Sequence, residues 1–222
     1  LDLDFTLVEA GTTEDEFVEA IGPVIFEGGS FPPFMLNSAG AVLGESAVVL
    51  EPGDYIVWSA GGTSEDDTED PTVDDIVTTT LTVSESDAPA ELPESDNTIT
   101  ARDFSFDVDV SAGEGFNFAN DGPDQYHHAV VFNFGASDPA VVEENVVPFF
   151  ASDDGALPEG IEVDFTNFNT ANTAVFGPGS SGSGVGTFES GNTYAVVCFI
   201  QNLDGGEPHL FGENMFEVFT VE

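Results

Sequence analysis

Residues 194–215 read YAVVCFIQNLDGGEPHLFGENM. An apolar run, Thr193–Ile200, ends on Cys198, and β-branched and aromatic residues fill it as they fill a buried strand. A polar segment with Gly205, Gly206 and Pro208 follows, and His209 and Met215 lie beyond it. A second apolar run, Phe216–Glu222, closes the chain. The stretch therefore reads as strand, long turn, strand, with a thiol, an imidazole and a thioether gathered at one end of a strand pair.

Working backwards, NDGPDQYHHAVVFNF (120–134) puts His127 and His128 at the start of another apolar strand, His128–Phe134. Cys198 is the only cysteine, so no intrachain disulfide can form. Three His, one Cys and two Met are all the soft ligands available. A thiolate, two imidazoles and a weak thioether are the donor set of a type 1 copper site. The alternatives are a buried thiol acting as a small hydrophobe, a core methionine and a histidine pair at a strand edge.

Strand signals dominate the rest of the chain, as Val, Phe, Ile and Thr runs bounded by Gly, Pro, Asp and Asn. They predict strands at Leu3–Glu9, Ala47–Leu50, Asp54–Ser59, Ile76–Ser84, Asn97–Asp109 and Gly115–Asn120. Thr13–Ile21 and Asp138–Val147 are the best short helices. The expected fold class is all-β, a Greek-key β-sandwich in two tandem domains. The domains are 1–86 and 97–222, joined by a linker at 87–96 inside SESDAPAELPESD (84–96). The glycine-rich GPGSSGSGVG (177–186) carries no Lys and reads as a flexible hairpin or loop rather than a phosphate cradle.

The halves share a pattern. LDFTLVEAGTTEDEFVEAI (3–21) parallels VVFNFGASDPAVVEENVV (130–147) as strand, turn and acidic helix. LEPGDYIVWSA (50–60) parallels FESGNTYAVVCFI (188–200), and TTTLTVSE (78–85) parallels FEVFTVE (216–222). The first copy lacks the two strands that open the second, and Ser59 stands where Cys198 does. Either the chain is a fragment, or Leu1–Val8 has another role, or another subunit donates the missing strand.

The His and Cys–His–Met segments resemble the cupredoxin superfamily, including plastocyanin-like and halocyanin-like proteins. The resemblance covers 97–222, with 1–85 as a degenerate copy. In such proteins a histidine precedes the apolar strand as His-x-Val/Ile-Val-Phe, which selects His128 over His127. The resemblance thus implies one copper held by His128, Cys198 and His209, with Met215 axial. It implies electron transfer to a redox partner protein, or copper carriage, and no catalysis. The ten residues between Cys198 and His209 are more than the two to four of the familiar loop.

Charge bounds the surroundings. Asp and Glu number 43 against one basic residue, Arg102, for a formal charge of −42. Such a chain stays compact where salt screens self-repulsion, because the Debye length falls to about 3 Å at 1 M. This suggests an extracellular or cell-surface protein of an extreme halophile, with counter-cations from the brine over a hydrated carboxylate coat. The acidic run Glu65–Asp75 belongs to that coat; it lacks the spacing of a Ca²⁺ loop. The charge argues against nucleic acid and anionic membranes. No stretch is long and apolar enough to span a bilayer, and no secretion signal is visible. A structural alternative is self-association into a surface layer or filament, completed by strand donation.

Overall fold

The computed structural model describes residues 2–42, 47–60, 72–88, 91–152, 157–161, 163 and 165–222. Most of the acidic run at 65–71 and part of the linker, 89–90, lie outside the described residues. The fold is all-β, with three helices among the described residues. None of them is long and apolar enough to cross a membrane.

The first unit is a four-stranded sheet. Its strands are β1 (Asp2–Val8), β2 (Met35–Val42), β3 (Gly53–Ser59) and β4 (Val77–Val83), antiparallel in the order β2-β1-β3-β4. Helix α1 (Glu14–Glu27) covers one face. Thr13 caps α1 by accepting the Glu16 N–H at 3.2 Å, and Gly28 ends it at φ 66°, the left-handed conformation glycine adopts most readily. Phe17, Ile21 and Val24 of α1 pack on Val8, Ile56 and Ile76 to form the core of this unit. The helix therefore runs past the expected Ile21, through Pro23, because its apolar stripe continues to Val24.

The second unit holds β5 (Thr98–Arg102), β6 (Ser105–Asp109), β7 (Gly113–Asn120), β8 (Val130–Asn133), β9 (Asn169–Asn172), β10 (Ser181–Phe188), β11 (Thr193–Val197) and β12 (Phe216–Thr220). Their order is β12-β11-β8-β9-β10-β7-β5-β6. The register of β10 against β7 shifts between Gly184 and Thr187, while Val185 and Gly186 pair with β9. This irregularity lets β10 serve both sheets, so the array folds over itself and β12 meets β6. Ile99, Phe116 and Phe118 of one sheet face Val131, Tyr194, Val196 and Cys198 of the other. Each fully buried Phe in that core contributes about 1.5–3 kcal/mol, a necessary counterweight to the repulsion of the acidic coat.

Helix α2 (Pro139–Phe150), capped by Asp138, covers the outer face of β8 and β11 with Val142 and Val146. Both faces of those two strands are thus buried. The strand order β9-β8-β11-β12 with α2 repeats β2-β1-β3-β4 with α1. Among the described residues, the first unit is one sheet and its helix, without counterparts of β5, β6, β7 and β10.

Three expectations need correction. Ala47–Leu50 is no strand of the first sheet; Val48 makes a single bridge to Gly182 of β10. Asn97–Asp109 is a hairpin, because Asp103 and Phe104 turn the chain at φ 22° and 64°. The glycine-rich 177–186 is a turn only as far as 180: from Ser181 it is β10, paired on both sides. The phenyl rings of Phe176 and Phe116 lie where side chains at Gly182 and Gly184 would be.

Candidate metal centre

The inner face of the sandwich fixes which side chains meet. Val197 pairs with Val130 and Val196 with Val131. Continuing that antiparallel register sets Cys198 opposite Ala129. Side chains alternate along a strand, so His127, Ala129 and Val131 share the inner face with Tyr194, Val196 and Cys198. His127 exchanges backbone hydrogen bonds with Phe176, at 2.9 and 2.8 Å, which anchors it beyond the end of β8. Buried Asn120 shapes the turn before it by donating to the carbonyls of Gln125 at 2.8 Å and Phe176 at 2.9 Å.

His209 opens helix α3 (His209–Gly212). Its N–H donates to Ile200 O at 2.8 Å, and Leu210 N–H donates to Cys198 O at 2.8 Å. Glycines Gly205 and Gly206, at φ 85° and 116°, let the chain turn back within the ten residues between the two ligand candidates. After α3, Asn214 takes φ 54° and Met215 enters the core. The Met215 amide donates to His209 O at 3.0 Å, and its carbonyl accepts the Cys198 N–H at 3.3 Å.

The result is one buried cluster. Cys198 Sγ lies 3.5 Å from His209 Nδ1 and 3.8 Å from His127 Nδ1. One ligand atom from each of the three residues falls within 4.8 Å of the others. For zinc, about 2.1 Å to nitrogen and about 2.3 Å to sulfur, a tetrahedral or trigonal arrangement would separate N and S by about 3.6–3.8 Å. The spacing is therefore that of ligands around a single ion.

The histidine register differs from the expectation: the structure brings His127, not His128, to Cys198 and His209. His128 points to the other side of the strand, where its Nε2 accepts the Phe199 N–H at 2.8 Å. Cys198 and His209 are where the sequence reading has them. Met215 is fully buried in the same core as Cys198.

Electrostatics favour a neutral donor set. Burial, with smaller contributions from His209 and His128, pushes the His127 pKa down to about 3; burial pushes that of His209 down to about 4. Both imidazoles stay neutral near pH 7 and keep a lone pair free. Burial raises the Cys198 thiol to about 12, partly offset by hydrogen bonds from the amides of His128 and Ile200. A buried thiolate needs a cation beside it, and a metal supplies one. His127 Nε2 and His209 Nε2 find no hydrogen-bond partner. The donor chemistry thus fits a borderline or soft mononuclear metal.

Phe104, which the sequence reading passed over, closes the site. Its ring stands edge-on to His209 at 5.1 Å and to His127 at 6.4 Å. It sits at a left-handed position that a non-glycine residue rarely occupies, in a two-residue hairpin turn. Local signals favour Asn-Gly or Asp-Gly there, so Asp-Phe is the one sequence hint of a special role.

No family model matches the chain, and no curated protein matches it. Among solved structures, the chain is similar to Na-dithionite-reduced auracyanin from the photosynthetic bacterium Roseiflexus castenholzii. The identity is 23%, the match covers 56% of this chain and 94% of that one, and the TM-score is 0.33. The sandwich assignment here rests on strand order and register.

Proposed function

We propose that this chain is a cupredoxin-like protein of the halophile cell exterior whose His127, Cys198 and His209 would hold one copper ion, with Met215 as a weak fourth ligand. Its role is single-electron exchange with a partner protein, or copper carriage, without catalysis of its own. The observation that carries this reading is the buried convergence of one thiol and two neutral imidazoles, from the ends of the paired strands β8 and β11 and from the start of α3. Zinc fits the spacing equally well, but two histidines, one cysteine and a nearby methionine are the copper pattern.

When bound, copper supplies a one-electron couple. The chain's own residues do the rest. Cys198 and His127 lie just past the ends of β11 and β8 and are tied by backbone hydrogen bonds to Met215 and Phe176, so little rearrangement accompanies a change in charge. The amides of His128 and Ile200 donate to the sulfur and soften its charge. Phe104 keeps water from the imidazole edges.

Titration of reduced, metal-free protein with Cu(II) in molar salt tests the reading. The expected result is a one-to-one endpoint with an intense visible thiolate-to-copper band. A colourless protein whose Cys198 is alkylated equally fast with and without copper overturns it.

A second reading, assembly through strand addition, is favoured by β4. It ends the first sheet, pairs with β3 without a bulge, carries no charged residue, and leaves Val77 68% and Leu81 38% exposed. Open, flat, uncharged edges are templates for another strand. Sizing in molar salt tests it: a strict monomer at high concentration removes it.

A further inference from the structure

The first unit has no histidine or cysteine, so it brings neither imidazole nor thiolate. It does touch the segment that carries them. Gln201 Nε2 donates to Val24 O at 2.8 Å, and Phe31 N–H donates to Leu203 O at 2.9 Å. Ser30 Oγ donates to Asp204 O at 2.7 Å, and Gly206 N–H donates to Gly28 O at 3.3 Å. The end of α1 and the turn after it therefore grip residues 201–206 from one side.

The fit is close. A side chain at Gly205 would meet Gly28 O at 2.9 Å and Ser30 N at 3.2 Å. From the opposite side, Gln125 Oε1 accepts the Leu203 N–H at 3.1 Å. The Phe31 ring stands edge-on to Tyr126 at 5.0 Å, and Tyr126 is the residue before His127. One short stretch, 24–31, thus contacts both the Cys198–His209 connection and the approach to His127.

A ten-residue connection holding two glycines has many conformations available to it. Inside itself it makes the Gln201–Pro208 bridge and the Gly205 N–H to Asn202 O bond of 2.8 Å. Those two ties leave residues 203–207 dependent on outside partners. The first unit supplies three of them, at Leu203, Asp204 and Gly206, and a fourth bond at Gln201, so it fixes the segment that leads into His209.

We infer that the first unit is a positioning clamp: residues 24–31 hold the 201–206 segment and Tyr126, and through them set the spacing of His127, Cys198 and His209. This rests on the copper reading above for its meaning, but its test does not. Val24, Gly28, Ser30 and Phe31 are positioning residues: they touch 201–206 and Tyr126 and belong to no ligand set. The clamp gives a metal-free copy of the fold a mechanical task, and makes the site responsive to whatever binds the first unit.

The test uses the full chain in molar salt, as Ser30→Ala/Phe31→Ala, with Val77→Thr as a control on the same unit. In metal-free protein, amide hydrogen exchange at Leu203, Gly206 and Leu210 is expected to quicken by about tenfold or more, with β5 and β7 unchanged. Cys198 alkylation quickens with it. In copper-loaded protein, one-to-one binding persists but the visible band and reduction potential shift, and Ser30→Thr/Phe31→Tyr restores them. Gln201→Ala, which leaves the core of the first unit intact, gives the same result if the double variant unfolds. Exchange at 203–210 unchanged in both variants overturns the clamp, whether or not copper binds. A wild-type chain that takes up no copper overturns the copper reading alone.

Discussion

The imidazole of His128 accepts the backbone N–H of Phe199 at 2.8 Å, on the face of the strands opposite the His127–Cys198 contact. Each residue of that bond follows a candidate ligand by one position. The pair ties the two strands together behind the site, so the neighbouring histidines have separate tasks: one faces the sulfur, the other braces the strand that carries it.

That division gives a direct comparison. His127→Ala is expected to abolish the visible copper band and stoichiometric uptake. His128→Ala keeps both and loses about 1 kcal/mol of stability, because the half-buried Phe199 N–H is left without its acceptor. Absorption titration and chemical denaturation of the two variants read this. Loss of the band in His128→Ala with retention in His127→Ala would reverse the assignment.

Met215 is separable as ligand and as core residue. Met215→Leu nearly conserves volume and costs less than about 1.5 kcal/mol, whereas Met215→Ala costs about 2–5 kcal/mol. If the thioether touches the metal, Met215→Leu still binds copper but shifts its paramagnetic spectrum and reduction potential. An unchanged spectrum and potential would remove Met215 from the ligand set.

Phe104 seals the imidazole edges, so Phe104→Ala should speed removal of copper by a strong chelator while leaving the stoichiometry at one. Stopped-flow chelation reads it. Equal rates in variant and wild type would mean the ring is packing only.

Gly40 sits on β2 where the first unit meets the second: an added Cβ would lie against Ala174 and the Asp4 carboxylate. Gly40→Ala is therefore expected to cost about 1–3 kcal/mol by overpacking. Denaturation in molar salt measures it, and a neutral result would show that the contact yields freely.

Glu217 shows the effect of the acid coat. Burial first, then Glu143 and Asp107, raise its carboxyl above 4.5. A raised carboxyl means folding disfavours its charge. The penalty is absent well below pH 4.5 and present in full above the raised folded value, hence at neutral pH. Glu217→Gln should raise the melting temperature at pH 7 in low salt, with a smaller gain in molar salt, where screening already removes part of the repulsion. A gain that persists at low pH would contradict the charge argument.

The sequence made the β-strands and the gathering of Cys198, His209 and Met215 legible because these depend on local chemistry. Apolar runs between turn residues declare strands, and soft ligands were too few to be overlooked. It pointed to His128, through the His-x-Val-Val-Phe register, and offered no local check on that choice. VVFNF at 130–134 is apolar except for Asn133, since β8 lies between the sandwich core and α2, so no regular polar alternation marks which residues face inward. The glycines of 177–186 misled for a related reason: they look flexible alone, yet they are small because Phe176 and Phe116 fill the space beside them.

The sequence by itself determined the fold class, the acid coat and the residue types available for a metal. Tertiary structure alone decided which histidine meets the sulfur, that Phe104 closes the site, and that the first unit grips the ligand segment. Composition and short-range pattern set what a strand is made of. The phase of its pleat and its neighbours are set by pairing partners far along the chain, such as Phe176 for His127 and Phe31 for Leu203.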